Sequence, residues 1–137
     1  MTDTNELLQL ALKIARQAGD LLVNRPASWD LTVKSTAIDI ATQMDLASEK
    51  LIVESILSAR PDDGIIGEEG ASRPSKSGVT WVIDPVDGTV NYFYGLPGWA
   101  VSIAAKDGNE LWLESFTRQQ LTRHGMQAKA VELFSMM

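Results

Sequence analysis

Carboxylates in two short segments are the residues of this sequence best suited to chemistry. Glu68 and Glu69 follow Gly67 directly after an apolar pair, and the segment 84–89, DPVDGT, follows a second apolar run. Carboxylates that share a dry pocket raise one another's pKa, because like charges within about 4 to 6 Å disfavour ionisation. A divalent cation removes that penalty, so the two segments together predict a metal site.

The ligands that these segments offer are all oxygens. Oxygen ligands favour a hard cation such as Mg²⁺ or Mn²⁺ over zinc or copper. Pro85 fixes its own φ between the two aspartates, so both carboxylates and the Val86 carbonyl can converge on one ion. Gly88 permits a tight turn and, with Thr89, leaves N–H groups free for a phosphate oxygen where a helix or nest begins.

Each feature also has a plainer interpretation. Asp-Pro and Asp-Gly are common turn dipeptides, so either acidic segment alone would be a hydrophilic loop; the two together, each after an apolar strand, favour the metal site. Thr42 and Asp45 have the spacing of a capping box, and spacing alone favours a helix-start role for Asp45. Lys34 is interpreted as a surface lysine, and Trp81 and Trp99 as core residues of a sheet.

Helices and strands must position these residues. Apolar residues at helical spacing predict a first helix over 5–24, which Pro26 ends. We expect a short extended piece over 31–34, and a second helix that opens at Thr42 and ends before Pro61. Strands are predicted at 65–66, 80–83 and 99–105, so both acidic segments lie at strand ends.

The segment from Leu111 onwards differs from the rest of the chain. It carries three basic and two acidic residues, whereas the preceding part is strongly acidic. The turn dipeptide Asp107-Gly108 closes the last predicted strand. The spacing of Leu113, Phe116 and Leu121 allows a weak amphipathic helix, and we find no obvious pairing between this segment and the preceding strand.

Composition excludes several classes of function. The chain has 137 residues, no cysteine and one histidine, His124, which excludes disulfides, thiolate nucleophiles and cysteine or histidine metal clusters. The net charge of -6 argues against a nucleic acid or an anionic membrane as partner. No basic segment precedes the first apolar residues and no apolar run approaches ~18 residues, so we expect a cytoplasmic protein.

Four stretches of the sequence together form a specific pattern: Gly67-Glu68-Glu69, the run 81–92 (WVIDPVDGTVNY), Ser102-Ile103-Ala104 and the run 33–45 (VKSTAIDIATQMD). The pattern resembles the inositol monophosphatase family of Mg²⁺-dependent phosphatases. The resemblance covers residues 5 to about 110, roughly the N-terminal half of a family member. It implies an α+β fold, a layered helix and sheet sandwich, in truncated form.

The resemblance implies a role for each motif residue. The implied metal ligands are Glu68, Asp84, the Val86 carbonyl and Asp87, and the implied phosphate-binding residues are Asp87, Gly88 and Thr89. Thr89 with Asp45 would orient the attacking water, and Glu69 would support the ligands. The implied reaction is in-line attack of metal-activated water on a small phosphate monoester of inositol or a related sugar or polyol, with two or three Mg²⁺ ions, or Mn²⁺. Val90 stands where the family more usually has a second Thr, a departure from which we expect little effect.

The resemblance ends near Leu111, which divides the chain into the N-terminal part of a family domain over 1–110 and an atypical tail over 111–137. The family's W-D-x-A-A-G segment, whose Asp completes the metal site, belongs to its second half and does not occur here. We therefore expect impaired turnover. The resemblance also implies a homodimer, which a shortened chain is less suited to form. We hypothesise that the tail is a frameshifted reading of the family sequence, and the alternative is a short paralogue with its own C-terminal helix.

Two other functions stay open at this point. One is a catalytically dead fragment that binds a metal ion or a full-length partner, because an uncovered sheet edge favours association. The other is a haloacid dehalogenase-type phosphatase, whose D-x-D-x-T motif superficially resembles the segment 84–89. Two residues separate Asp84 from Asp87 where that motif has one, and no G-E-E belongs to that motif, so the spacing argues against this class.

Overall fold

A computed structural model of the chain describes residues 4–24, 34–94, 96, 98–108 and 110–117. The elements in chain order are α1 (Thr4–Val23), α2 (Lys34–Ala59), β1 (Gly64–Gly67), β2 (Ser72–Arg73), β3 (Val79–Asp87), α3 (Thr89–Phe93), β4 (Ala100–Asp107) and β5 (Glu110–Thr117). One sheet has the strand order β2-β1-β3-β4-β5, in which only the β1–β3 pair is parallel. The predicted α+β class is confirmed.

The first predicted helix is confirmed as α1. Its buried residues recur at helical spacing, and α1 packs on β4, β5 and α2. The face that it buries is made of Leu7, Ala11, Ile14, Ala15, Ala18 and Leu22. Near its end, the Leu22 carbonyl accepts a hydrogen bond of 2.7 Å from the hydroxyl of Tyr92 in α3. This bond ties α3, which follows the second acidic segment, to the helical layer.

The second helix begins earlier than the sequence predicted. It opens at Lys34, so Lys34 is not in an extended piece, and residues 31–33 of that predicted piece lie outside the described residues. The capping-box interpretation of Thr42 and Asp45 is therefore wrong, because both residues are well inside α2. No Gly or Pro interrupts 34–59, so nothing in the backbone stops the helix from extending upstream of Thr42. The predicted end before Pro61 is confirmed.

The three predicted strands are confirmed as β1, β3 and β4, and the core forms where α1 and α2 cover them. Trp81 and Trp99 are buried as expected. The indole Nε1 of Trp81 donates a 2.8 Å hydrogen bond to Asp63, which also pairs with Arg60 and accepts a bond from Ser77. These bonds compensate the buried Asp63 carboxylate just before β1 starts. β3 is longer than predicted, because it continues through the acidic segment to Asp87.

The first residues of the predicted atypical tail form β5. Residues 110–117 pair antiparallel with 100–107 along the whole of β4, so that β4 and β5 form a hairpin. The expectation of no pairing with the preceding strand, and of a helix there, is wrong for 111–117. The segment pairs with β4 along its whole length, and this pairing outweighs the weak helical spacing of its apolar residues. The boundary near Leu111 stays a prediction, as 118–137 lie outside the described residues.

Neither α1 nor α2 nor any other helix of the described ranges is long and apolar enough to cross a membrane.

Candidate functional site

An irregularity in β3 places the two aspartates of the second acidic segment on one face of the sheet. In a regular strand, residues three apart project to opposite faces. Here the register shifts between the two positions, so that Asp84 pairs with Ser102 and Asp87 pairs with Ala100. Ser102 and Ala100 are two apart on β4 and share a face, and paired residues of antiparallel strands share a face as well. Asp84 and Asp87 therefore project to the same side.

The parallel pairing of β1 with β3 brings the two acidic segments together. Gly67 is the register partner of Ile83, and the Glu68 N–H donates a 3.0 Å bond to the Ile83 carbonyl. Glu68 is thereby fixed beside the strand residue that precedes Asp84. The two acidic segments, which together predicted one metal site, therefore lie on neighbouring strands.

Helix α2 brings a further carboxylate, Asp45, to the same place. Asp45 is 9% exposed, and its Oδ1 atom is buried with no hydrogen-bond partner among the described residues. Burial, and then the negative charges of Glu69 and Glu68, raise the pKa of Asp45 from 3.8 to about 7. Asp45 therefore lies within electrostatic reach of both glutamates. The structure thus supports a place for Asp45 in the site. The resemblance implied this place, whereas the spacing alone favoured a helix-start role.

Glu69 also lies in a field of like charge. Burial raises the pKa of the Glu69 carboxyl, and the charges of Glu49 and Glu68 raise this pKa further. The four carboxylates of this cluster, which we call the acidic cluster, are Asp45, Glu49, Glu68 and Glu69. Repulsion among them is the penalty that a bound cation would relieve.

Two residues of α2 that the motifs do not include hold the acidic segments in place. The Ser48 hydroxyl donates a 3.0 Å bond to the carbonyl of Pro85, between the two aspartates of β3. The carboxylate of Glu49 accepts 3.1 Å bonds from the N–H groups of Glu69 and Ala71. Their signal in the sequence was their spacing, because polar residues three and four positions after Asp45 share its helix face with the buried Ile52.

The turn after β3 contains the predicted phosphate-binding residues. Gly88 has φ +81°, and a Cβ at that position would lie 2.6 Å from the Gly98 carbonyl oxygen. Both the backbone conformation and the lack of space therefore require glycine. The Thr89 hydroxyl donates a 3.1 Å bond to the Val86 carbonyl, the predicted metal ligand. A hydroxyl that donates in this way keeps its lone pairs for a second donor, such as water.

The described residues fit a divalent cation by charge, although they do not form a finished cage. Within the described ranges, no three His, Cys, Asp or Glu side chains converge closely enough to hold a metal as they stand. The unpartnered oxygen of Asp45 and the mutual repulsion of the acidic cluster are both features that a cation would satisfy. Oxygen donors of this kind match hard ions. The metal and phosphate roles assigned above to Glu68, Asp84, Val86, Asp87, Gly88 and Thr89 stay predictions.

The fold and the site define a layered α+β protein with a cluster of carboxylates at the edge shared by β1 and β3. The sequence profile described as the inositol monophosphatase family matches residues 3–113. The chain belongs to this family, which decides against the haloacid dehalogenase alternative.

Individual relatives agree with this assignment. The chain is 43% identical over 106 residues to Nus factor SuhB of Pasteurella multocida, which covers 74% of this chain and 39% of that protein. It is 46% identical over 101 residues to inositol-1-monophosphatase of Mycobacterium bovis, covering 68% and 34%. Among solved structures, Mycobacterium tuberculosis SuhB is similar with a TM-score of 0.65 and 30% identity, over 85% of this chain and 46% of that one. The chain thus spans less than half the length of these relatives.

Proposed function

We propose that this chain carries the cation- and phosphate-binding part of a Mg²⁺-dependent phosphatase that hydrolyses a small phosphate monoester of an inositol, sugar or polyol. The observation that carries the proposal is the buried Oδ1 of Asp45, which has no hydrogen-bond partner among the described residues and lies close to the negative charges of Glu68 and Glu69. A charged group of this kind is costly unless a cation or a reacting group compensates it. Family membership supports phosphate monoesters as the substrate class.

The residues proposed to hold the cation are Glu68, Asp84, the Val86 carbonyl and Asp87. The shift of register in β3 supports this set, since it directs both aspartates to one side of the sheet. When bound, Mg²⁺ supplies positive charge that lowers the pKa of water and neutralises the phosphate. Mn²⁺ offers the same oxygen-ligand chemistry.

Thr89 and Asp45 are proposed to orient the attacking water. The Thr89 hydroxyl donates to the Val86 carbonyl, so it can only accept a hydrogen from that water. The free Oδ1 of ionised Asp45 can accept the other hydrogen. A water whose two hydrogens are both held presents a lone pair to the phosphorus. This arrangement supplies orientation, which accounts for a large share of catalysis in phosphoryl transfer.

The expected activity of the 137-residue chain alone is low. The chain spans 39% of the Pasteurella relative, and no W-D-x-A-A-G segment occurs in its sequence. We propose that the chain retains cation binding and turns over phosphate monoesters slowly.

Hydrolysis of phosphate monoesters with and without Mg²⁺ tests the proposal. The full chain is incubated with inositol monophosphate, fructose bisphosphate and histidinol phosphate, and released phosphate is measured. Asp87→Asn removes one proposed ligand. Asp107→Asn is the control, because it makes the same chemical change at the other end of the pairing between β3 and β4. Mg²⁺-dependent release that Asp87→Asn abolishes and Asp107→Asn retains is the expected result. Release that is independent of Mg²⁺, or equal in both variants, contradicts the proposal.

A second candidate is a binding protein without turnover. The Pasteurella relative is named a Nus factor, and this name favours a role other than hydrolysis for part of the family. Saturable Mg²⁺ binding together with no phosphate release in the same assay would select this candidate.

A further inference from the structure

We propose that Glu49 is a positioning residue that shapes the turn 67–71, and so holds the cation ligand Glu68 and its supporting residue Glu69 in place. The inference rests on the proposed function, because it assigns Glu49 a task at that same site. Glu49 is not among the residues that the motifs singled out, and it does not act on the substrate itself.

The contacts of Glu49 account for both of its oxygens. The side chain comes from α2, is 5% exposed, and reaches the turn about 20 residues further along the chain. Oε1 accepts the N–H of Glu69, and Oε2 accepts the N–H of Ala71, both at 3.1 Å. A carboxylate can accept on both oxygens, whereas a glutamine amide has one acceptor and one donor group. The turn therefore requires an acid at position 49, and not merely a polar side chain.

Three backbone hydrogen bonds also support the turn, and one of them is the bond from the Glu68 N–H to the Ile83 carbonyl of β3. Within it, the Gly67 N–H donates a 2.7 Å bond to the Ala71 carbonyl, and the Gly70 N–H donates a 3.2 Å bond to the Gly67 carbonyl. Glu68, Glu69 and Gly70 are exposed, so packing does not fix the path of the backbone between them. Among the described residues, the two bonds to Glu49 tie this exposed path to the buried face of α2.

Gly67 is the complementary part of the same arrangement. A Cβ at position 67 would lie 2.2 Å from Oε1 of Glu49, closer than any real contact. Only glycine lets the carboxylate approach the turn this closely. Any side chain at position 67 would displace the carboxylate and break its bonds to the turn, even though Glu49 itself remains.

The negative charge of Glu49 is costly to bury, and the N–H groups of the turn compensate part of that cost. Among the described residues, the ion pair of Lys50 with Glu54 and that of Arg60 with Asp63 do not include Glu49. The carboxylate is thus buried among like charges, with two N–H groups in place of a cationic partner. Charge-assisted bonds to backbone N–H groups are stronger than neutral ones, so such a pair can hold a loop rigidly.

The test measures order in the turn and cation affinity separately, in the full chain. Glu49→Gln keeps the volume of the side chain and removes one acceptor and the charge. Glu54→Gln is the matched control, because it makes the same change five residues further along α2 on an exposed side chain. Amide hydrogen exchange at Glu69 and Ala71 reports the turn without metal, and electron paramagnetic resonance of free Mn²⁺ reports cation affinity.

Glu49→Gln is expected to speed exchange at both amides and to weaken Mn²⁺ binding by about 10- to 100-fold, the usual effect of removing a partner that orients ligands. Glu54→Gln is expected to change neither. Unchanged exchange or unchanged Mn²⁺ affinity in Glu49→Gln overturns the inference. A wild-type chain that binds Mn²⁺ but hydrolyses nothing contradicts the proposed function alone, and a wild-type chain that binds no Mn²⁺ overturns both.

Gly67→Ala gives an independent readout, including the case in which Glu49→Gln does not fold. It leaves the Glu49 charge in place and displaces only the carboxylate, so it should weaken Mn²⁺ binding to a similar extent. In a Glu49→Ala background the added methyl group meets no carboxylate, so Gly67→Ala should then have little further effect. Equal effects of Gly67→Ala in both backgrounds would overturn the inference.

Discussion

Replacement of Asp45 by asparagine should stabilise the cation-free protein at neutral pH and leave its stability at pH 4 unchanged. Asp45 is buried, one of its oxygens has no partner in the described structure, and its neighbours Glu68 and Glu69 are also acidic. The folded protein therefore favours the neutral acid, with a pKa raised to about 7 against 3.8 in the ordinary state. Asparagine stays neutral at every pH and removes the cost of ionisation.

The sign and size of the effect follow from this pKa. The native state binds the proton more tightly than the unfolded chain, so the contribution of Asp45 to stability is complete below pH 3.8. It is lost as pH rises towards 7. Each pH unit in this window lowers the free energy of unfolding by up to about 1.4 kcal/mol, which gives an upper bound of about 4 kcal/mol. We expect Asp45→Asn to recover at least about 2 kcal/mol of this at pH 8.

Urea unfolding in EDTA, from pH 4 to pH 8.5, measures the difference directly. The control is Asp20→Asn, the same change on the exposed side of α1. The wild type and the control should lose stability between pH 4 and pH 7, and Asp45→Asn should lose less. The reasoning is refuted if the stability difference between Asp45→Asn and the wild type is the same at pH 4 and pH 8, or if the variant is less stable at pH 8.

Two further substitutions test how the site is held, both by urea unfolding. Ser48→Ala should lower the free energy of unfolding by about 1 to 3 kcal/mol, because it leaves the Pro85 carbonyl of β3 without its donor. The control Ser58→Ala, on an exposed side chain, should change this free energy by less than about 0.5 kcal/mol. Equal effects of the two substitutions would contradict the role of this bond. Gly88→Ala should cost more than Gly108→Ala, since both glycines have positive φ but only the first lacks room for a Cβ. A loss of about 1 kcal/mol in the free energy of unfolding for both Gly88→Ala and Gly108→Ala would contradict the close approach of Gly88 to Gly98.

The elements with strong periodicity could be predicted from the sequence. α1 has a regular apolar face, and β1, β3 and β4 are short apolar runs next to turn residues. The start of α2 could not be located, because a Thr and an Asp three apart fit a helix start and a helix interior equally well. β5 was missed because its structure comes from pairing with β4, and the pairing partner of a strand is not visible in its own spacing.

The residue types of the site could be predicted, but not their arrangement. The motifs identified the carboxylates, and the resemblance added Asp45. The register shift between Asp84 and Asp87 depends on the pairing of β3 with β4, so no property of the segment itself shows which face each aspartate takes. Glu49 was missed for a similar reason, since its partners lie about 20 residues away and are backbone N–H groups, which carry no sequence signal.

The most direct test of the account is the effect of Mg²⁺ on the stability of the full chain at pH 8. A cation that binds only the folded state raises the free energy of unfolding by about 2.7 kcal/mol at 100 times its dissociation constant. We expect saturable stabilisation of the wild type and of Asp107→Asn, and none of Asp87→Asn. A wild-type chain whose unfolding is insensitive to Mg²⁺ would contradict the claim that its acidic cluster and the aspartates of β3 form a divalent-cation site.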